Sequence, residues 1–184
     1  MKYQIIYADP PWEFGTWGKT GKRAPQTHYP CMSNDDIAKI PILELADKNC
    51  ALFLWVTMPV LEQSFKLINH WDFKYSTVAF TWVKQNKNGA GLFFGLGYWT
   101  RANAELCLLA TKGHPKRINR DVPQIVMTPV MRHSRKPDEV VRDRIIRLCG
   151  DLPRIELFAR RKVEGWDCWG NELESDIELS IPNP

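Results

Sequence analysis

The string Asp9-Pro10-Pro11-Trp12 places an acid, two rigid prolines and an indole directly after a short apolar run. Proline has a fixed φ and no N–H. The carbonyls of Pro10 and Pro11 therefore point in set directions, and Pro10 can only accept a hydrogen bond. Trp12 adds a flat apolar face for a planar ligand. A carboxylate acceptor, a carbonyl acceptor and a ring suit a flat heterocycle with an exocyclic amino group. The lone pair of such an amino group is delocalised into its ring and is weakly nucleophilic. Two acceptors that hold its N–H bonds out of the ring plane free that lone pair for in-line attack, which is catalysis by positioning and preorganised polarity. The ordinary alternative is a turn, because Asp-Pro and Pro-Pro commonly start one. Proline makes up roughly 5% of residues in proteins and tryptophan less, so the string is unusual for a plain turn.

Residues 3–8 (Tyr-Gln-Ile-Ile-Tyr-Ala) read as a buried strand that delivers Asp9 at its carboxyl end, where ligands bind in open α/β sheets. Ala51–Thr57, Ser76–Lys84, Ala104–Thr111 and Arg154–Arg160 are further strand candidates, with Gly165–Trp169 a shorter one. Ser33, with Asp36 three residues on, is an N-cap signal for a short helix that Pro41 breaks or restarts. Pro59 opens a second helix and Pro137 a third, which Gly150 ends. Strands alternating with helices predict an α/β fold with a mostly parallel sheet and helices on both faces. Two long loops, Glu13–Met32 and residues 112–137, are placed to close over a ligand. The Gly-rich, aromatic stretch Gln85–Thr100 reads either as a substrate-facing hairpin or as a contact between copies.

The 184 residues fit a single domain, 1–184, with a full core. Hydrophobic residues at 44% and charged ones at 25% are ordinary for a soluble protein. No apolar run is long enough for a membrane span, and no signal-peptide pattern opens the sequence. The five cysteines and four histidines show no metal-ligand spacing and read as reduced thiols and solitary imidazoles of a cytoplasmic protein. Between Lys112 and Lys162 there are 14 Lys/Arg against 6 Asp/Glu. That excess favours a polyanion such as nucleic acid, although a solvated face would read the same. Neither a G-x-G-x-x-G nor a P-loop string occurs, so dinucleotide and P-loop readings lose their support. Asn171 and Glu172 could bind ribose hydroxyls, with Arg160 and Lys136 near acidic parts of a ligand.

Taken as a set, these strings resemble a known family. Ala8–Trp12, Tyr29 with Met32-Ser33, Leu52–Val56, Trp82-Val83-Lys84, Lys136–Glu139, Ile155–Arg160 and Gly170-Asn171 occur in its order. The family is that of the adenine-N6 methyltransferases named for the seventy-kilodalton catalytic subunit of the mRNA methyltransferase, which includes bacterial and phage DNA enzymes. The resemblance implies a Rossmann-like methyltransferase fold that uses S-adenosyl-L-methionine, with the catalytic string ahead of the cofactor-binding segments. Carried over, the catalytic residues are Asp9, Pro10, Pro11 and Trp12. Tyr29, Lys84, Arg132, His133 and Arg135 are substrate-binding candidates. Ala8, Asp9, Ser134, Lys136, Phe158, Arg160, Asn171 and Glu172 are cofactor-binding candidates. Ser134 and Lys136 would reach the methionine end, and Phe158, Arg160 and Asn171 would line the adenosine site. Glu172 stands where the eukaryotic mRNA enzyme has Gln, and Lys162-Val163 stand where it has His-Asn.

The expected activity is methyl transfer to the N6 amino group of adenine in DNA, giving N6-methyladenine without a metal. The Gly-rich stretch, similar to that of bacterial or phage relatives, tilts the substrate toward DNA. The alternatives are the same reaction on RNA and a non-catalytic nucleic-acid-binding subunit. A homodimer is expected to supply the recognition surface that no separate domain provides.

Overall fold

The computed structural model describes residues 2–13, 31–95, 97, 99–131 and 136–179. Seven strands form one sheet: β1 (Tyr3–Ala8), β2 (Ala46–Val56), β3 (Lys74–Gln85), β4 (Ala104–Lys112), β5 (Ile125–Pro129), β6 (Arg154–Leu157) and β7 (Asp167–Trp169). Their order across the sheet is β5-β3-β4-β2-β1-β6-β7. Parallel pairs join β1 to β2 and β6, β6 to β7, and β3 to β5. β4 alone among these strands runs against its neighbours, antiparallel to both β2 and β3. Its first residues therefore lie at the carboxyl ends of the others.

The helices are α1 (Asn34–Ala38), α2 (Ile42–Leu45), α3 (Leu61–His70) and α4 (Asp138–Cys149). Ser33 caps α1 by accepting the N–H of Asp36 at 3.1 Å. Pro41 ends that segment and starts α2. Strand alternation sorts β2 into two faces: Cys50, Leu52, Leu54 and Val56 face one core, and Ala51, Phe53 and Trp55 the other. Helices α1, α2 and α3 cover the first core through Ile37, Ile42, Leu45, Leu67 and Ile68. Helix α4 covers the second through Val141, Ile145 and Cys149. The α/β fold, mostly parallel with helices on both faces, is as the sequence predicts.

The boundaries differ in instructive places. β2 begins at Ala46, immediately after α2, rather than at Ala51. The strand expected to reach Arg160 stops at Leu157, because Phe158 adopts φ 61° and turns the chain out of the sheet. The expected 112–137 loop contains β5, an edge strand alongside Thr81–Gln85. The early part of that loop lies at the amino end of the parallel strands, since β4 runs downward and Lys112 pairs with Cys50. It does not close over the carboxyl ends. The Gly-rich stretch leaves β3 as a tight hairpin, with Phe93 N–H donating to Lys84 O at 2.8 Å and Asn86 N–H to Gly91 O at 3.2 Å.

Candidate active site

Asp9 follows the last residue of β1, whose neighbours β2 and β6 end alongside it. The turn after it is fixed by its own backbone. Trp12 N–H donates to Pro10 O at 2.8 Å, and Pro11 O accepts Met32 N–H at 2.9 Å. Trp12 is 4% exposed and its indole N–H donates to Trp55 O at 2.9 Å. In this arrangement Trp12 anchors the turn to β2 and offers little open ring face. Pro10 O keeps a second lone pair beside the one that Trp12 occupies.

A chain of alternating charges leads away from Asp9. Lys136 Nζ lies 3.3 Å from Asp9 Oδ1 and 2.6 Å from Glu105 Oε2. Glu105 Oε1 accepts Lys84 Nζ. Three members come from distant positions: Lys84 near the end of β3, Glu105 at the start of β4, and Lys136 just before α4. The reversed direction of β4 is what brings Glu105 to this end of the sheet. Lys84, expected to touch substrate, is instead held within this network, with Nζ also 4.8 Å from the Trp82 ring centroid.

The electrostatics follow from burial and these pairs. Burial pushes the Asp9 carboxyl above its ordinary value, and Asp138 and Glu105 add to this against the opposing pull of Lys136. Burial works the same way on Glu105, but Lys136 and Lys84 outweigh it and hold its carboxyl below the ordinary range. Lys136 is desolvated, yet its two carboxylate partners keep it firmly cationic. A group with a buried charge needs such partners to stay charged.

A cleft opens beside Asp9, lined by Lys136, Asp138, Arg142, Glu156, Phe158 and Arg160, among others. Asp138 accepts the Tyr7 hydroxyl at 2.7 Å, and Tyr7 in turn accepts the Trp55 indole N–H at 2.6 Å. Burial keeps the Tyr7 phenol protonated far beyond its usual range, so it remains a donor. Arg142 donates to Glu156 at 2.6 Å, while its other terminal nitrogen is buried with no hydrogen-bond partner among the described residues. Burial pushes the Glu156 carboxyl up to about 7, against the pull of Arg142. Phe158 packs edge-on against Trp169 with centroids 5.4 Å apart. Gly170 passes so near Ala159 that a Cβ would lie 2.1 Å from its carbonyl oxygen. The sequence gives no other residue type at that crossing.

Of the expected residues, Asp9, Lys136, Phe158 and Arg160 share this cleft. Glu172 lies 3.6 Å from the Arg160 guanidinium, and Asn171 sits beside it in an exposed turn. Ala8 is fully buried and directs no side chain into the cleft. Tyr29, Arg132, His133, Ser134 and Arg135 lie outside the described residues. Sequence reading missed Glu105, Tyr7, Trp55, Asp138, Arg142 and Glu156 as parts of the site. The available signal was an acid inside a buried strand, in Glu105-Leu-Cys-Leu-Leu-Ala and in Ile-Glu156-Leu. Lys, Glu, Arg and Asp are almost never fully buried without a partner.

Comparison with known proteins agrees with this architecture. A type II methyltransferase, M.MunI of Mycoplasma sp, is 33% identical over an alignment covering 98% of this chain and 82% of its own. The N(6)-adenosine-methyltransferase catalytic subunit METTL3 of Homo sapiens is 30% identical across 99% of this chain, and the METTL3 subunit of Danio rerio is 32% identical across 98%. The chain spans only 30% of each of these two animal proteins. The MT-A70 family model matches residues 3–172, the stretch that holds the whole sheet, the Asp9 turn and the cleft, and the chain belongs to that family.

Proposed function

We propose that this protein transfers a methyl group from S-adenosyl-L-methionine to the N6 amino group of adenine in DNA. The observation that carries the reading is Asp9 itself: a partly exposed carboxylate at the carboxyl end of β1, beside the Pro10 carbonyl and fastened by a buried lysine. The donor set of the cleft fits the cofactor. Carboxylates of Asp9 and Asp138 suit an ammonium, Arg160 suits a carboxylate, and Phe158 suits a flat ring. When bound, the cofactor supplies an electrophilic methyl on sulfur. Asp9 and Pro10 O then hold the two amino hydrogens of the target and turn its lone pair outward. As the N–C bond forms, the methyl–sulfur bond would break with its electron pair left on sulfur as a neutral thioether; the amino nitrogen must lose a proton, and the raised affinity of Asp9 for protons suits it to take one. A duplex target must be flipped out of the stack to reach this turn.

M.MunI is matched over most of its length, which supports the bacterial type of enzyme and DNA as the substrate. The adenosine methyltransferase relatives support a second reading, the same transfer to RNA. The intact Asp9–Trp12 string argues against a non-catalytic subunit. The five scattered cysteines, odd in count and with no C-x-x-C spacing, support a cytoplasmic setting. A homodimer would extend the recognition surface, and light scattering tests it.

The deciding experiment is label transfer from S-adenosyl-L-methionine to single-stranded DNA, duplex DNA and RNA, followed by digestion to nucleosides, with Asp9→Ala alongside. N6-methyladenine from DNA with wild type alone is the expected result. Label on RNA only would replace DNA as the substrate. Label on neither polymer, with cofactor bound, would favour the non-catalytic reading.

A further inference from the structure

We propose that the segment between β4 and β5, residues 113–124, is a second polyanion-binding surface. It would take the sugar–phosphate backbone of DNA outside the target site. The inference rests on the DNA-methylating reading above, but on different residues. Its cation-bearing part, residues 113–121, lies toward the opposite end of the sheet from Asp9, against the last turn of α4, before the chain returns to join β5. Lys112 pairs with Cys50, whereas Asp9 follows Ala8, which pairs with Leu54. At about 3.3 Å per strand residue this separates the start of the segment from Asp9 by roughly 15–20 Å.

The segment has no regular secondary structure, yet its backbone is fastened to two elements. His114 N–H donates to Asn49 Oδ1 at 2.8 Å. Ile118 N–H donates to Leu148 O at 2.9 Å, and Asn119 Nδ2 to Arg147 O at 2.6 Å, at the last turn of α4. Arg144 donates to Pro123 O at 2.8 Å. The entry turn at Gly113 has φ 61°, and a Cβ there would lie 2.1 Å from Lys48 O. The chain is thus built to follow this path, and it presents its cations on a fixed frame.

The charge at this end is not internally balanced. Lys112 pairs with Asp72, Arg147 with Asp121 and Arg154 with Asp151. Lys116, Arg117 and Arg120 are exposed and have no acidic partner among the described residues, and exposed Lys48 and Lys74 stand at the same end. Asp47, beside Lys48, is half-buried and accepts the Asn49 N–H. Duplex DNA offers about one negative charge per 1.7 Å of its axis, and neutralising each phosphate releases counterions. A target base held at Asp9 leaves phosphates half a helical turn or more away, at and beyond the end of a one-turn duplex centred on the target, as the natural occupants of this surface.

The test is the triple variant Lys116→Gln, Arg117→Gln, Arg120→Gln. All three side chains are exposed, so the fold is expected to be unaffected, as circular dichroism will check. Binding to labelled duplexes of about one and about four helical turns is measured against salt by fluorescence anisotropy, without cofactor. For the long duplex the slope of log affinity against log salt should fall by about 2–3, at roughly 0.9 per lost phosphate contact. For the short duplex it should not change. KM for the long duplex should rise about tenfold at fixed salt, with kcat and the short-duplex KM unaltered, as loss of phosphate contacts remote from the reacting base requires. Simultaneous binding of a short target and an unlabelled non-target duplex, lost in the variant, would put a second DNA molecule on the surface instead of a flank. Wild-type slopes in the variant on both lengths overturn the proposal while leaving the methylating activity intact. A wild type that binds no DNA and labels only RNA overturns the DNA reading with it.

Discussion

Asp9 combines two properties that pull on its proton in opposite directions. Burial, with the nearby acids, raises its pKa, while Lys136 at 3.3 Å lowers it, and the net direction is upward. A base whose pKa is raised is protonated as the pH falls through a value above that of a free aspartate. The acid limb of kcat against pH should therefore lie above the free-aspartate value, and a limb at that value would remove Asp9 as the acceptor. Asp9→Asn should lower methyl transfer by about a thousandfold or more, a few kcal/mol of barrier, with thermal stability little changed. Single-turnover label transfer at saturating cofactor measures it. Gly170 is a residue-scale constraint of a different kind. A methyl group there would meet the Ala159 carbonyl at 2.1 Å, and backbone atoms cannot swing aside as a flexible side chain can. Gly170→Ala should shift the Phe158–Ala159 backbone, lowering the melting temperature and weakening S-adenosylhomocysteine binding in calorimetry. Unchanged affinity would separate Gly170 from the cleft.

Between elements, the fastening of β1, β2 and α4 runs through a short buried polar relay. The Trp55 indole donates to Tyr7, and Tyr7 donates to Asp138 at the start of α4. Tyr7→Phe removes both bonds and leaves a buried indole N–H unsatisfied. The expected cost is about 1–3 kcal/mol, read as a lower denaturant midpoint with an unchanged m-value. The Arg142–Glu156 pair ties α4 to β6 and adds a pH dependence. Glu156 titrates near 7 in the folded chain, above its usual 4.5. Its contribution to stability is therefore full below about pH 4.5 and is lost as the pH rises through about 7. The difference amounts to about 3 kcal/mol at most. Unfolding measured from pH 5 to 8 should show a fall in stability with pH that is shallower in Glu156→Gln. Equal slopes in the two proteins would mean that Arg142 holds Glu156 ionised throughout.

For the whole molecule, the Asp-Pro-Pro-Trp turn, the strand before it, the helix caps and the α/β alternation were legible in the sequence, because each is written in local residue types. An apolar run before Asp9 specifies a strand wherever it packs, and Ser33 with Asp36 specifies a cap from four residues. The end of β6 was not legible, since the positive φ of Phe158 is imposed by its surroundings and not by its side chain. Nor was β5, a short edge strand whose partner Thr81–Gln85 lies some forty residues back. What the sequence by itself determined is the chemistry on offer: an acid and a carbonyl held by prolines, a set of basic residues, and an order of motifs. The tertiary structure alone decided which of these meet. The single reversed strand, β4, carries Glu105 up to Lys136 and Lys84 at the catalytic end. The same reversal carries the basic segment after Lys112 to the far end. Strand direction is set by which partner edge is free when the sheet closes, a long-range property that a stretch of residues read in order does not encode.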